Sequence, residues 1–245
     1  MSLPRFFEPS PLQLGSVVLS PNAVRHVAQA LRMKAGDSLE LFNGQGGAWQ
    51  GHITDINKRA VTVELTEFNP TNNDSHLKIH LAQAVSKGNR MDFVMQKATE
   101  LGVHTITPVV TDRCDVKLDQ SRWDKKVTSW QGQVQSACEQ CGLNIPPTLA
   151  PVITLNQWLQ QPQPFTTCLM LHPHTQQTTS LASLLEEHDN IGLIIGPEGG
   201  FSESEVDLMI SHEIQPLSLG PRILRTETAP LAAIALLQYL SGNLS

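Results

Sequence analysis

The chain changes its hydrophobic rhythm near residue 75. Before that point apolar and polar residues alternate in short runs. After it, near-continuous apolar runs alternate with stretches at helical spacing. "AVTVELTEF", from Ala60, has the period of two of a strand with one solvated face. "DSLELFN" and "AWQGHITDI" predict two more strands around the hairpin signal "NGQGG". Ser20 followed by Pro21 predicts a capped helix running to about Met33 and closed by Gly36. Strands joined by tight turns predict a meander curling into a small barrel. The polar, turn-rich stretch "NPTNNDS" then reads as a linker, giving domains over residues 1–73 and 74–245.

Beyond the linker, "LKIHLAQAV", "HTITPVV", "TTCLMLH", "NIGLIIG" and "PLSLG" predict strands. Helices are predicted over "MDFVMQKATELG" and near 180–188, 203–212 and 228–240. A long helix capped by Ser121 carries Trp123, Val127, Trp130, Val134, Ala137 and Cys141 at helical spacing. Such alternation predicts an α/β domain with a parallel sheet covered on both faces. The last helix, "TAPLAAIALLQYL", is apolar nearly all round. It is therefore expected to pack on its own sheet and also on a second copy of the chain, in a homodimer.

At 245 residues with 40% apolar content, a folded chain is expected. "MSLPRFFEPS" lacks a signal-peptide core, and no apolar stretch approaches the ~20 residues of a membrane span, so a cytosolic protein is expected. Cys138 and Cys141 form a C-x-x-C without a second ligand pair at zinc spacing. His172 and His174 add no such spacing, and no metal is expected.

The net charge of −6 offers no global basic footprint for nucleic acid, but its distribution is uneven. Val127–Pro221 contains nine acidic residues and no Lys or Arg; then Arg222 and Arg225 return inside "SLGPRILRTETAP". Two arginines at a glycine turn in such a stretch suggest a functional role. The plainer reading is pairing with Glu198 or Glu227.

A second glycine turn, "IIGPEGGFSESEVDLM", joins an apolar run to a helix opened by the capping box of Ser202 and Glu205. It lacks the Lys-Ser/Thr of a mononucleotide loop and the G-x-G-x-x-G of a dinucleotide loop. Glu198 would repel a polyphosphate. A ligand with a positive centre fits better, and S-adenosylmethionine has one, together with an adenine that Leu219, Ile223 and Leu224 could hold. Open parallel sheets bind ligands at the carboxyl ends of their strands, where both turns are expected.

"RFF", "KGNRMDFVMQKATELGV", "IGPEGGFS" and "LGPRILRTETA" occur in this order, and with them the chain resembles the ribosomal RNA small-subunit methyltransferase E family through essentially its whole length. The resemblance implies a PUA-like RNA-binding barrel, a SPOUT domain with a trefoil knot, a homodimer, and methylation of N3 of a uridine in 16S rRNA of the small ribosomal subunit. It places S-adenosylmethionine among Leu171, His172, Gly196, Pro197, Gly199, Gly200, Leu219, Gly220, Ile223, Leu224 and Thr228. RNA contacts are expected from Arg5, Arg25, Arg32, Lys34, Lys87 and Arg90. The basic region "TDRCDVKLDQSRWDKK" is diluted by acids, which weakens its case for RNA contact.

Methylating N3 requires loss of its proton and stabilisation of charge on the flanking carbonyl oxygens. Arg225 or Arg222 suits the second task and Glu198 the first. A tight Arg225–Glu198 pair would weaken Glu198 as a base, so Arg225 ranks above it. Two other readings remain at this point: an RNA-binding maturation factor with an inactive pocket, and an α/β enzyme binding a nucleotide phosphate.

Overall fold

The computed structural model describes residues 3–116, 118–173 and 180–244, which fall into two compact units. The first unit contains the described residues up to Asp74 together with Gln135–Pro146. Its strands are β1 (Arg5–Phe7), β2 (Gly15–Val18), β3 (Ser38–Phe42), β4 (Ala48–Ile56) and β5 (Val61–Asn69), in the order β1-β3-β4-β5-β2. The predicted antiparallel meander is β3-β4-β5. β1 lies parallel to β3, and β2 closes the far side antiparallel to β5. The alternation read in "AVTVEL" puts Val61, Val63 and Leu65 into one core with Phe6, Leu39 and Ile53.

The predicted helix from Ser20 to Met33 is shorter than expected. Pro21–Val24 is α-helical (α1), and Arg25–Ala30 continues as a π-helical segment. Ser20 makes no side-chain cap; its backbone N–H donates instead to Glu8 Oε2 at 2.7 Å. Arg32 takes a left-handed φ of 52°, which turns the chain out of the helix before Met33.

The second unit carries β6 (Lys78–Ala84), α2 (Arg90–Glu100), β7 (Thr105–Val110) and α3 (Gln120–Cys141), whose last turns group with the first unit. There follow β8 (Thr148–Leu149), β9 (Ile153–Thr154), α4 (Leu155–Gln160), β10 (Thr167–Leu171), α5 (Leu181–Glu187), β11 (Asn190–Ile195), α6 (Glu203–Ser211), β12 (Gln215–Leu217) and α7 (Thr228–Leu240). The sheet runs β12-β10-β11-β6-β7-β8, with β9 also on β7, and every pairing in it is parallel. Strands buried on both faces need continuous apolar runs, and Ile79, Leu81, Met170, Leu193 and Ile194 supply them.

Asp119, not Ser121, opens α3: its Oδ1 accepts from the Arg122 N–H at 3.0 Å and from the Ser121 hydroxyl at 2.7 Å. Both bonds hold the Asp119 carboxyl below its ordinary pKa. Within a single chain the apolar helix α7 is buried on one side only. Ala233, Ile234 and Leu237 are buried, but Tyr239 is 63% and Leu240 40% exposed. Among the described residues no helix is long and apolar enough to cross a membrane.

Candidate active site

β10, β11 and β12 end side by side, since Leu171 pairs with Leu217 and Met170 with Ile194. The loops that follow them line one cleft of about 600 Å³. Leu171, the last residue of β10, and His172 after it come from the first; Gly196, Pro197, Glu198, Gly199 and Gly200 come from the second. The third contributes Leu219, Gly220, Arg222, Ile223, Leu224 and Arg225. His174 and most of the loop after Leu171 lie outside the described residues.

Thr228 is not in the lining. Thr226 takes the inward position instead, 6% exposed. Its hydroxyl donates to the Gly196 carbonyl at 2.8 Å and accepts from Gln83 Nε2 at 3.3 Å, so one side chain ties two loops together. Gln83 is fully buried on β6, and its Oε1 has no partner among the described residues. Gly220 has a φ of 94°, and a Cβ built on it would meet nothing within 4 Å. That glycine is therefore required by the left-handed backbone and not by a close protein neighbour.

The charges are arranged differently from the expected Arg225–Glu198 pair. Glu198 Oε1 accepts from Arg90 at 2.5 Å and from the Lys87 N–H at 3.3 Å. Arg90 Nε also lies 3.4 Å from Glu227 Oε2. Both carboxylates that could have neutralised the arginine pair hold Arg90 instead. Arg222 and Arg225 are exposed to the cleft and make no ion pair among the described residues. Arg113 closes the other end of the glycine loop, donating to the Gly199 carbonyl at 2.9 Å. The capping box of Ser202 and Glu205 is present, and Glu205 also accepts from the Asp112 N–H at 2.8 Å.

The cations expected on RNA separate into two groups. Arg5 is withdrawn from solvent. It pairs with Glu40, donates to Asn144 Oδ1 at 2.7 Å and lies 5.0 Å from the centre of the Phe42 ring. Arg25, Arg32 and Lys34 are exposed on or just beyond the π-helical segment. Lys87 is exposed and pairs with Asp115 at 2.8 Å, which lowers the Asp115 carboxyl from its ordinary value. Of the four free thiols, Cys138 is buried, and burial pushes it up to about 12, with Cys141 nearby adding to the shift. Among the described residues no group of three His, Cys, Asp or Glu is placed to hold a metal ion.

A parallel sheet with a cleft at its carboxyl ends, in a chain that also carries a small β-rich unit, defines the class to which sequence comparison also leads. The family model described as an RNA methyltransferase domain matches residues 73–238, and that of an RNA methyltransferase PUA domain matches residues 19–66. The chain is 36% identical to the ribosomal RNA small subunit methyltransferase E of Buchnera aphidicola subsp. Schizaphis graminum, covering 99% of this chain and 98% of the relative. To the Bacillus subtilis protein of the same name it is 31% identical, covering 88% and 87%. Among solved structures, a Legionella pneumophila methyltransferase in complex with S-adenosylmethionine superposes with a TM-score of 0.92 at 42% identity, covering 98% of each chain. The ribosomal RNA small subunit methyltransferase E of Neisseria gonorrhoeae, bound to S-adenosyl methionine, gives 0.88 at 39%, also covering 98% of each. The chain belongs to the ribosomal RNA small subunit methyltransferase E family. It is an rRNA methyltransferase with a PUA-like N-terminal domain.

Proposed function

We propose that this protein transfers the methyl group of S-adenosylmethionine to N3 of a uridine in 16S rRNA of the small ribosomal subunit. It does so in the cytosol and as a homodimer, with a PUA-like domain over residues 1–73 and a knotted SPOUT domain over 74–245. The observation that carries this reading is the pair Arg222 and Arg225, left unpaired in a cleft whose carboxylates both hold Arg90.

The cleft fits the cofactor by size and chemistry. About 600 Å³ lies within the usual ~300–1,000 Å³ of small-molecule sites. Leu171, Leu219 and Leu224 offer apolar surface for an adenine, and the glycine backbones of both turns offer polar edges. When bound, the cofactor supplies an electrophilic methyl group on a sulfonium. The protein's residues do the rest by positioning and electrostatics. Arg225, with Arg222 beside it, donates to the carbonyl oxygens flanking N3 as negative charge spreads onto them. Glu198 Oε1 is turned to Arg90 and the Lys87 N–H, and in this reading the N3 proton is assigned to water while the arginines hold the resulting anion. Arg25, Arg32 and Lys34 contact RNA phosphates from the N-terminal unit, an affinity that falls steeply with salt.

Calorimetry tests the cofactor assignment. S-adenosylmethionine should bind and ATP should not; the reverse result would point to a nucleotide-phosphate enzyme, and binding of neither to an RNA-binding factor with an inactive pocket. Sedimentation tests the dimer: Ala232→Glu with Ala235→Glu should yield monomers with weakened cofactor binding. A wild type that is monomeric at micromolar concentration and fully active would contradict it.

A further inference from the structure

Beside the cofactor cleft lies a second, more open cavity of about 720 Å³, lined by Lys87, Gly88, Asn89, Arg90, Phe93 and Glu227. Arg90 and Glu227 belong to both cavities, so the side chains that face each other at 3.4 Å form a wall common to the two. A two-substrate transfer needs such a neighbour: donor and acceptor must sit on either side of one narrow boundary, with the reacting atoms meeting at its edge. The lining also has the composition a nucleotide asks for. Lys87 stands at the rim, 60% exposed. Gly88 has a φ of 67° and open space where a Cβ would be, leaving backbone approachable. Phe93 is 44% exposed, although its neighbours on α2, Met91, Val94 and Met95, are at most 1% exposed.

We infer that this cavity receives the acceptor nucleotide, a pyrimidine unstacked from its RNA, with Phe93 as the platform under its ring. The inference rests on the methyltransferase reading above and adds the place of the second substrate. Stacking suits a reaction at N3. It holds the base by its face and leaves the hydrogen-bonding edge free to reach across the Arg90–Glu227 wall, whereas a side chain reading that edge would cover the atom to be methylated.

The test compares Phe93→Ala, Phe93→Leu and Phe93→Trp in the full chain. Each is measured for kcat/KM on small ribosomal subunits lacking the modification, for S-adenosylmethionine affinity and for sedimentation. Loss of one stacked base is worth roughly tenfold or more. The Ala and Leu variants should lose that much in kcat/KM, the Trp variant should stay within about threefold of wild type, and cofactor affinity and sedimentation should not change. Wild-type activity in the Leu variant would overturn the assignment, because an apolar contact without an aromatic face would suffice. So would a loss accompanied by altered cofactor affinity or altered assembly, because Phe93 would then be packing. A wild type inactive on these particles would instead count against the methyltransferase reading. In that case the affinities of the same variants for a single-stranded uridine oligonucleotide decide the platform, equal affinities overturning it.

Discussion

The two glycine turns of the cleft look alike in sequence and are built differently. The turn after β11 is held at each end. Glu198 is fixed by Arg90 and the Lys87 N–H, the Gly199 carbonyl by Arg113, and Ser202 and Glu205 cap the following helix. The turn after β12 is tied back through Thr226, while Arg222, Ile223 and Arg225 stand exposed. Charges that are paired shape a wall; charges left unpaired at an exposed turn are available to a substrate. The first turn thus presents a fixed wall to the cleft, and the second presents two unpaired arginines to it.

The strongest way to break this contrast is Arg225→Ala. Methyl transfer should fall by roughly 10²–10³ while S-adenosylmethionine affinity stays within a few-fold, as titration and single-turnover rates would show. Near-normal turnover would remove Arg225 from the chemistry. Thr226→Val should give the opposite pattern. It strands the Gly196 carbonyl and leaves Gln83 Nε2 only its bond to the Ala84 carbonyl, a loss of ~1–3 kcal/mol, so cofactor affinity should drop by about tenfold or more while the rate at saturation is largely kept. An unchanged dissociation constant would mean that the tie between the turns does not shape the cleft.

Gly220→Ala and Gly220→Val sharpen the same point. Both force a side chain onto a φ of 94°, at a cost of roughly 1–3 kcal/mol. Equal losses of cofactor affinity in the two would assign the effect to backbone strain; a much larger loss in Val would assign it to filling of the cofactor's space.

The smallest effect expected is on stability. Burial on β6 lowers the His80 pKa from 6.5, with the Asn190 hydrogen bond opposing and His104 and Lys78 adding to the shift. The unfolded chain therefore binds a proton at higher pH than the folded one. This contribution is intact above about 6.5 and is lost as pH falls from there through the folded value. The urea midpoint should drop between pH 7.5 and 5.5, and the drop should shrink in His80→Gln. An identical drop in that variant would assign the pH dependence to other groups.

Much of this architecture was legible, because periodicity reports burial. The parallel strands announced themselves as apolar runs, and β5 by alternation. The short elements β8, β9 and α4 carry too few residues for a period, although the capping box of Thr154 and Gln157 was a local signal for α4. The end of the helix at Arg32 depends on a left-handed residue that has no glycine to mark it. A linear boundary at residue 73 also could not express that Gln135–Pro146 groups with the N-terminal unit, where Asn144 donates to the Thr71 carbonyl at 2.8 Å. In the site, glycines and prolines marked the loops well, but partners did not follow from proximity in sequence. Arg90 precedes Glu198 by more than a hundred residues, so only the fold could show that it, and not Arg225, occupies that carboxylate. Likewise Thr226 and Thr228 are equivalent in composition; the start of α7 at Thr228 decides which one turns inward.

The most direct measurement is transfer of labelled methyl from S-adenosylmethionine to small ribosomal subunits that lack the modification, followed by digestion and nucleoside analysis. The label should appear in 3-methyluridine at a single position of 16S rRNA with the wild-type protein, and fall by at least roughly a hundredfold with Arg225→Ala. Label on another base or on another atom of uridine, or none at all despite cofactor binding, would contradict the account.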